Sequence, residues 1–134
     1  MATTGLHGVN LANKYLNMLS GTAFTAPTNT YAKLHTNTGD PGSAGTSNPS
    51  SVTTRVILSW AAASAGSKAI TTTLPAWNTW AGTNGEVIGY ISVWDDISAG
   101  NFLYSFALTT PKTVNTGDNV TLSSHSVSLT PLAS

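Results

Sequence analysis

The sequence predicts a mainly β domain, either an antiparallel β-sandwich or a jelly-roll-like barrel, with one N-terminal helix. Three observations lead to this fold class. About seven short segments of strand-forming residues follow one another at roughly 8–15-residue spacing, which is typical of sandwiches and barrels. No connection between these segments is long enough for a crossover helix, so neighbouring strands are expected to pair antiparallel. The chain has 134 residues, which fits a single domain over residues 1–134.

The N-terminal helix is predicted over residues 4–19. Thr3 or Thr4 can cap its start, and Gly21 lies where a glycine would end it. Apolar side chains recur along the segment at the spacing of one helical face: Leu11, Tyr15 and Met18. Such a helix either covers an open face or edge of the sheet or forms an arm that docks on a neighbouring subunit. We favour the first use.

Between the helix and the C-terminus, predicted strands alternate with polar loops. The loop at residues 36–51 contains three Gly and two Pro. It is too long for a turn, so we expect it to be either mobile or held by a partner. A second loop, residues 75–85, interrupts the strand pattern with two Trp residues. The predicted strands outside the central hairpin are Thr30–His35, Val52–Trp60, Lys68–Leu74 and two closing strands at 120–122 and 127–129.

The two most apolar segments form a predicted hairpin at the centre of the fold. They are Val87–Trp94 and Phe102–Thr109, joined by a polar turn at 95–101. In the second segment large apolar residues alternate with smaller ones, so the face that includes Phe106 is expected to be buried. The first segment is apolar on both faces, which predicts a strand that is central in its sheet or lies at a subunit contact.

Charged residues are unusually scarce in this chain. Five Lys and Arg residues cancel five Asp and Glu residues, and together they make up 7% of the sequence, against about 25% in a typical protein. Because near-zero net charge promotes association, we favour a subunit of an assembly over a neutral soluble monomer. Five scattered cations cannot neutralise a row of phosphates, which excludes nucleic acid as a predicted partner.

The sequence also argues against secretion and membrane insertion. It contains no Cys, which excludes disulfides and thiolate metal sites and is compatible with a reducing cytoplasm. The N-terminus lacks the pattern of a signal peptide. No stretch approaches the roughly 20 apolar residues that a membrane span needs. We therefore predict no membrane partner.

No arrangement of side chains predicts catalysis. Asp95 and Asp96 are adjacent in a turn, where neighbouring side chains diverge instead of facing one substrate. The other three acids, Asp40, Glu86 and Asp118, each stand beside Gly or Pro, so we interpret the acidic residues as turn caps. The three histidines lack the spacing of a metal site: His7, His35 and His125. We predict no catalytic residue, no metal and no cofactor.

Five residues are candidates for an interface or a glycan contact. Trp77 and Trp80 lie in the 75–85 loop with the polar Asn78, and Tyr90 and Trp94 lie on the first strand of the hairpin. Exposed Trp rings can stack on sugar rings, as they do in carbohydrate-binding modules. Alternatively, the rings plug an open end of the sandwich or a subunit interface, where Trp is enriched. We favour plugging.

Several short motifs follow one another along the chain: Leu34-His35-Thr36, Gly39-Asp40-Pro41-Gly42, Trp94-Asp95, Gly100-Asn101-Phe102-Leu103, Ala107-Leu108-Thr109-Thr110-Pro111-Lys112 and Thr116-Gly117-Asp118. In their order and spacing, over nearly the whole chain, they resemble a family of small tailed-phage virion proteins that are commonly labelled tail fibre or minor tail proteins. The chain departs from many relatives at Ile88-Gly89-Tyr90, where they have a Thr-His pair, so no role of that histidine is carried over.

The resemblance implies a non-enzymatic structural protein of a phage virion, made in the host cytoplasm and placed in the tail or on the capsid exterior as a decoration protein. Its expected partners are further copies of the chain and other phage structural proteins. We expect self-assembly through the apolar β surface and the N-terminal helix, most of all as a homotrimer, because a closed ring saturates head-to-tail contacts. The alternative is a carbohydrate-binding module that contacts host surface polysaccharide through the 75–85 loop.

Overall fold

The computed structural model describes residues 4–129, and within this range the chain forms nine β-strands and one short helical segment. The helical segment begins as a π-helical turn, Gly8–Ala12, and continues as α1, Asn13–Met18. The strands in chain order are β1 Gly5–Leu6, β2 Thr30–Thr36, β3 Val56–Leu58, β4 Ser67–Ala69, β5 Ala76–Trp77, β6 Glu86–Trp94, β7 Phe102–Val114, β8 Val120–Thr121 and β9 Ser126–Ser128.

Five strands form one large antiparallel sheet, and the other four form two small antiparallel pairs. The large sheet has the order β1-β7-β6-β2-β3, and the pairs are β4–β9 and β5–β8. Trp77 of β5 and Val120 of β8 share one apolar core with Leu58 and Ile88 of the large sheet. The sheets do not close into a barrel. The prediction of a mainly β, antiparallel fold is confirmed, and the structure agrees with the sandwich and not with the barrel.

The predicted central hairpin is confirmed as β6 and β7. β6 lies between β7 and β2, and Ile91, Ser92 and Val93 are buried in succession along it. The chain itself therefore covers both faces of β6, which accounts for its apolar pattern without a subunit contact. β7 runs five residues beyond the predicted Thr109, to Val114, and residues 108–111 form a bulge in it. That bulge holds Pro111, which has no N–H to donate to a ladder.

The N-terminal helix is shorter than predicted and starts later. Residues 5 and 6 do not begin a helix; they form β1, in which Gly5 pairs with Ser105 of β7. His7 caps the π-helical turn in place of Thr4, since its Nδ1 accepts the N–H of Asn10 at 3.0 Å. The other predicted cap, Thr3, lies outside the described residues. Gly21 ends the segment as expected, with a positive φ of 79° and an N–H that donates to the carbonyl of Met18.

The loop at residues 36–51 is held by hydrogen bonds within the chain. The N–H of Thr36 donates to the carbonyl of Asn48 at 2.9 Å, and the N–H of Ser47 donates to the carbonyl of Pro41 at 2.9 Å. The side-chain amide of Asn48 donates to the carbonyl of Asp40, also at 2.9 Å. These bonds close the loop across its base, so the chain itself holds a loop that was expected to be either mobile or held by a partner.

A buried chain of hydrogen bonds joins this loop to the large sheet. His35 of β2 is completely buried, and its Nδ1 lies 2.8 Å from the carbonyl oxygen of Ser47. A carbonyl oxygen only accepts, so Nδ1 carries the proton, and Nε2 accepts from the hydroxyl of Ser92 on β6 at 2.7 Å. The Ser92 oxygen accepts in turn from the indole N–H of Trp94 at 2.8 Å. Each of these buried polar groups is thereby satisfied.

The remaining strands are shorter than the sequence predicts. The segment predicted as Val52–Trp60 is a strand only over β3, because β2 offers it three paired residues. The segment Lys68–Leu74 contributes only to β4, and the two closing strands reduce to β8 and β9. Conversely, β5 lies inside the predicted 75–85 loop, where two residues pair with β8. Strand length in this half of the chain is thus set by the partner strand and not by local propensity.

Gly89 marks a point where the backbone of β6 passes close to the 36–51 loop. The register of β6 shifts between Ile88 and Tyr90 toward β7, and the register of β2 shifts at the same place, so Gly89 is paired in neither ladder. A Cβ atom added at Gly89 would lie 2.8 Å from the Cα of Asn37. This crowding requires a residue without a side chain.

We expect Gly89→Ala to destabilise the protein by about 1–3 kcal/mol, because the added methyl must displace backbone. Gly8→Ala is the matched control, since a Cβ at Gly8 meets nothing within 4 Å. It should leave stability unchanged or raise it slightly. Urea unfolding midpoints of the two variants decide the matter. Equal midpoints would contradict the close approach at Asn37.

An aromatic cluster surrounds His125. The ring of Phe106 is half-buried, not fully buried as predicted, and it stacks on His125 with centroids 3.9 Å apart and planes 8° apart. The hydroxyl of Tyr104 lies 2.9 Å from Nε2 of His125, and Trp60 lies at 5.8 Å from the same imidazole. Burial lowers the pKa of His125 to about 4 and also lowers the pKa of His35. Both rings are therefore neutral in the folded protein at neutral pH.

We expect stability to fall as pH drops from about 6.5, the ordinary pKa of histidine, toward 4. In this range the unfolded chain binds protons that the buried rings exclude, so acid favours unfolding. His125→Gln keeps an acceptor for Tyr104 but does not titrate, so it should reduce the loss of stability between about pH 7 and pH 4.5, a range above most carboxylate titration. Urea midpoints at the two pH values measure this. An unchanged pH dependence in His125→Gln would contradict the assignment.

Candidate assembly surface

Exposed large apolar side chains are concentrated at the N-terminus of the described chain. Six of the eleven such residues fall between positions 6 and 19. Of the predicted helical face only Leu11 is buried, whereas Tyr15 and Met18 are exposed. The helix therefore does not cover the sheet with its full apolar face. The exposed apolar residues of this segment, which we call the N-terminal apolar surface, are Leu6, Val9, Tyr15, Leu16, Met18 and Leu19.

The first turn of the segment nevertheless docks on β7. The backbone N–H of His7 donates to the carbonyl of Leu103 at 2.7 Å, and the side-chain amide of Asn10 donates to the carbonyl of Phe102 at 2.9 Å. Leu11 enters the core. Beyond Leu11 most side chains are exposed, and Leu19 reaches 87% exposure. The segment is thus anchored at its first turn, whereas its last turn is exposed.

An apolar groove of about 710 Å³ lies beside this anchor point. Its walls come from the N-terminal segment, the stretch after the helix and strands β3 and β7. Tyr15 and Phe24 both line it, and their rings meet edge to face at 5.8 Å. The apolar lining includes Leu6, Leu11, Phe24, Ile57, Leu103 and Leu129. Four of the eleven exposed large apolar residues line this groove: Leu6, Tyr15, Ile57 and Leu129.

Charge is nearly absent from the groove and the N-terminal apolar surface. Lys14 on α1 and Lys68 on the groove wall are the cations there. The ammonium group of Lys68 donates to the carbonyl of Ala61 at 2.8 Å. Two such surfaces can therefore approach each other without burying an unpaired carboxylate or placing many like charges together. What remains is a continuous region suited to hydrophobic contact.

Trp77 and Trp80, predicted as interface or glycan contacts, lie inside the chain's own core. Their exposures are 4% and 2%. The indole N–H of Trp77 donates to the carbonyl of Thr54 at 2.8 Å, and that of Trp80 donates to the carbonyl of Thr83 at 3.1 Å. Neither ring presents a face to solvent. Their neighbour Asn78 is exposed.

Tyr90 and Trp94, the other two predicted contacts, lie on β6 and do not join the 75–85 loop. Tyr90 is half-buried opposite His35 and Ala107. Trp94 is buried, and the guanidinium of Arg55 lies 3.9 Å from its ring centroid. The structure therefore does not bring the five predicted residues together into one site.

Arg55 connects the 95–101 turn to β6 through hydrogen bonds as well as through its contact with Trp94. Its guanidinium donates to the carbonyl of Asp96 at 2.8 Å and also to the carbonyl of Ala99. The Asp96 carboxylate accepts the N–H groups of Ala99 and Ser98, each at 2.9 Å, and these bonds lower its pKa. Two groups thus stabilise the turn: the guanidinium of Arg55, which lies outside it, and the carboxylate of Asp96, which belongs to it.

The acidic side chains act as backbone caps, as predicted. Asp95 accepts the N–H of Asn101 at 2.6 Å and Asp118 that of Asn115 at 2.9 Å. Asp40 accepts the N–H of Gly42 at 2.7 Å, and Glu86 accepts that of Ser51 at 2.9 Å. With Asp96, this accounts for all five carboxylates of the sequence. Residues 4–129 contain no group of three or more potential metal ligands.

The groove residues were not foreseen from the sequence. Phe24, Ile57 and Leu103 are far apart in the chain, and no local pattern connects them. A signal did exist for the N-terminal apolar surface. Val9 and Leu19 add apolar side chains outside a single stripe of the helix. A short helix cannot bury apolar side chains that are spread around so much of its surface. No helix in the described part of the chain is long and apolar enough to cross a membrane.

One protein family has a model that matches residues 9–130 of the chain, and this family is described as Podophage GP4 fiber I protein gp80. The match spans α1, all strands after β1 and nearly every residue that lines the groove. No curated protein matches the chain. The predicted resemblance to phage virion structural proteins is confirmed by this match.

We expect the double change Trp77→Ala and Trp80→Ala to unfold or severely destabilise the domain, because each buried Trp is worth about 3–5 kcal/mol when truncated. Asn78→Ala is the control from the same loop and should change stability little, since its side chain is exposed. The two variants are compared by their urea unfolding midpoints, followed by far-UV circular dichroism because this signal does not rely on tryptophan. A double variant as stable as Asn78→Ala would mean that the rings are not core residues.

Proposed function

The chain belongs to the Podophage GP4 fiber I protein gp80 family, a phage tail fibre family, and from this premise we propose that it is a self-assembling, non-enzymatic component of the virion's tail. The structural role in a phage tail follows from the family. Self-assembly is supported by the N-terminal apolar surface and the neighbouring groove. The description of the family as a fibre protein favours the tail over a place on the capsid exterior.

The occupant of the groove is a second copy of the chain. Each copy carries both a groove lined by apolar residues and an anchored segment with exposed apolar side chains that lie outside that groove, namely Val9, Leu16, Met18 and Leu19. Burying these side chains in the groove of a neighbour removes apolar surface from water at about 25 cal/mol per Å². Net charge is zero over the whole sequence, so copies do not repel one another.

This contact is head to tail, because the segment of one copy meets the different surface of the next. Head-to-tail contacts either close into a ring or continue as an open filament. A closed trimer saturates them and matches the three-fold symmetry of fibres. We therefore propose a homotrimer that binds other phage structural proteins through its remaining surface.

The non-enzymatic character is supported by how the chain uses its reactive side chains. The carboxylates cap backbone amides, as described above, and none of them lines the apolar groove. His35 is fully buried and engaged at both ring nitrogens. His125 is enclosed by aromatic rings. These groups stabilise the fold and are not presented to a substrate.

The alternative of a glycan-binding module built on the 75–85 loop is less well supported. Stacking on a sugar needs an exposed ring face, and both tryptophans of that loop are buried. The exposed Asn78 alone provides no stacking surface. The loop instead completes the core beneath β5 and β8.

We expect the purified chain to form a species of three times its 13.8 kDa mass at micromolar concentration. The double change Leu16→Asp and Leu19→Asp should shift it to monomer without loss of stability, because both side chains are exposed in the single chain. Ile97→Asp is the control, since Ile97 is an exposed apolar residue of the 95–101 turn, outside this surface. Light scattering coupled to size exclusion gives the masses. A wild-type monomer that is also monomeric in particles would refute self-assembly.

A further inference from the structure

His7 lies where the N-terminal segment joins the rest of the protein. Its backbone N–H donates to the carbonyl of Leu103 on β7 at 2.7 Å, and its carbonyl oxygen accepts the N–H groups of Leu11 and Ala12 at 3.1 and 3.0 Å. Its ring contacts the ring of Phe102 edge to face, with centroids 5.6 Å apart. This one residue therefore connects β7 to the first turn of the helical segment.

The cap that His7 provides requires a neutral ring. Nδ1 accepts the backbone N–H of Asn10 at 3.0 Å, and a backbone N–H can only donate. The ring proton is therefore on Nε2. A second proton would bind Nδ1 and convert the acceptor into a donor that faces another donor. The imidazolium cannot make this hydrogen bond in either ring orientation, because both of its nitrogens carry protons.

A positive charge at this position also opposes the helix. The N–H groups at the start of a helix carry partial positive charge, so a cation beside them is unfavourable. The usual capping residues are Asn, Asp, Ser and Thr, and of these only Asp titrates, at about pH 3.9. A histidine cap therefore differs from the usual ones, because it is lost in mild acid.

His7 can take up a proton without unfolding of the protein. Its side chain is half-buried and lines a cleft of about 340 Å³ between β1, the 36–51 loop and β7. The other two histidines are held neutral, since burial lowers the pKa of both His35 and His125. Histidine as a class changes charge between about pH 5 and 8. His7 is thus the histidine from which a response to mild acid is expected.

The surroundings of the ring contain few groups that could compensate its charge. Among residues 4–129, none that lines the cleft is Lys, Arg, Asp or Glu. The charged or titratable residues on the adjoining elements are Lys14, Asp40, Tyr104 and Lys112. The Asp40 carboxylate accepts the N–H of Gly42 at 2.7 Å. Because a carboxylate near the ring would favour the imidazolium, Asp40 is the residue that an experiment must control.

Loss of the cap would loosen the segment that carries the N-terminal apolar surface. Asn10 holds this segment a second time, since its side-chain amide donates to the carbonyl of Phe102 at 2.9 Å. A ring that turns away from the Asn10 N–H also gives up its contact with Phe102. Both contacts lie just before Leu11, the last residue of the segment that is buried in the core. The exposed Leu16 and Leu19 follow one and two turns later.

We propose that His7 is a pH-sensitive switch for assembly: the neutral ring fixes the N-terminal segment on β7, and protonation releases the segment and weakens the contact between copies. The effect on assembly rests on the proposed self-association. The change at His7 and Asn10 takes place within a single chain and does not depend on it. The segment is held most firmly above about pH 6.5, the ordinary pKa of histidine, and less firmly as the pH falls below it.

The test compares the full-length protein at about pH 8 and about pH 5.5, values that bracket most of the range in which histidine changes charge. By NMR, we expect the amide proton of Asn10 to shift with the same midpoint as the imidazole carbons of His7. Amide exchange at Leu11 and Ala12, corrected for its intrinsic pH dependence, should become about fivefold faster at the lower pH, the size of one lost helix cap. Light scattering should show a smaller mass there.

His7→Asn is the matched variant, because asparagine caps a helix but does not titrate. It should give the same amide exchange and the same mass at both pH values, and His7→Ser should do the same. Asp40→Asn keeps an acceptor for Gly42 and removes the carboxylate, so its pH response should match that of the wild type.

Three results would overturn the switch. The first is an Asn10 amide that does not follow the titration of the His7 ring. The second is a wild-type pH response that persists in both His7→Asn and His7→Ser. The third is a response that disappears in Asp40→Asn. A wild-type chain that is monomeric at both pH values would refute self-assembly and its control by pH, whereas the NMR titration would still decide whether His7 controls the segment.

Discussion

The completely buried imidazole of His35 is the interaction on which the architecture depends. It connects three parts of the chain that are far apart in sequence, since its two nitrogens bond Ser47 of the 36–51 loop and Ser92 of β6 while the residue itself belongs to β2. Removing any one member would leave the others as unpaired polar groups in the core, which costs more than the bond itself contributes. The loop it fixes packs Gly45 against the ring of Phe102 and approaches β6 at Gly89. The packing of the 36–51 loop against β6 and against the start of β7 therefore depends on this network.

A chain with so few charges must stabilise its turns and its surface by other means. It uses each carboxylate to accept backbone N–H groups, and Arg55 closes a turn through carbonyl oxygens while covering Trp94. These are local bonds that order the loops, and they contribute little long-range repulsion between copies. The same economy of charge leaves Lys14 as the single charged residue between positions 8 and 19, where Leu16 and Leu19 are exposed. The low charge content thus accounts for two features: loops that are closed by carboxylate caps, and a surface that favours association between copies.

Local patterns predicted the parts of the fold that local chemistry decides. The alternation in 87–94 and 102–109 located β6 and β7, and Gly or Pro beside Asp40, Glu86 and Asp118 indicated capping. The errors arose where a distant partner overrides local preference. Gly5 joins a strand only because Ser105 is there to pair with it, and this pairing replaces the first turn of the predicted helix. Trp77 and Trp80 were ambiguous because the residues that cover a ring are not its sequence neighbours. The groove depends on the same long-range packing, so no window of sequence contains it.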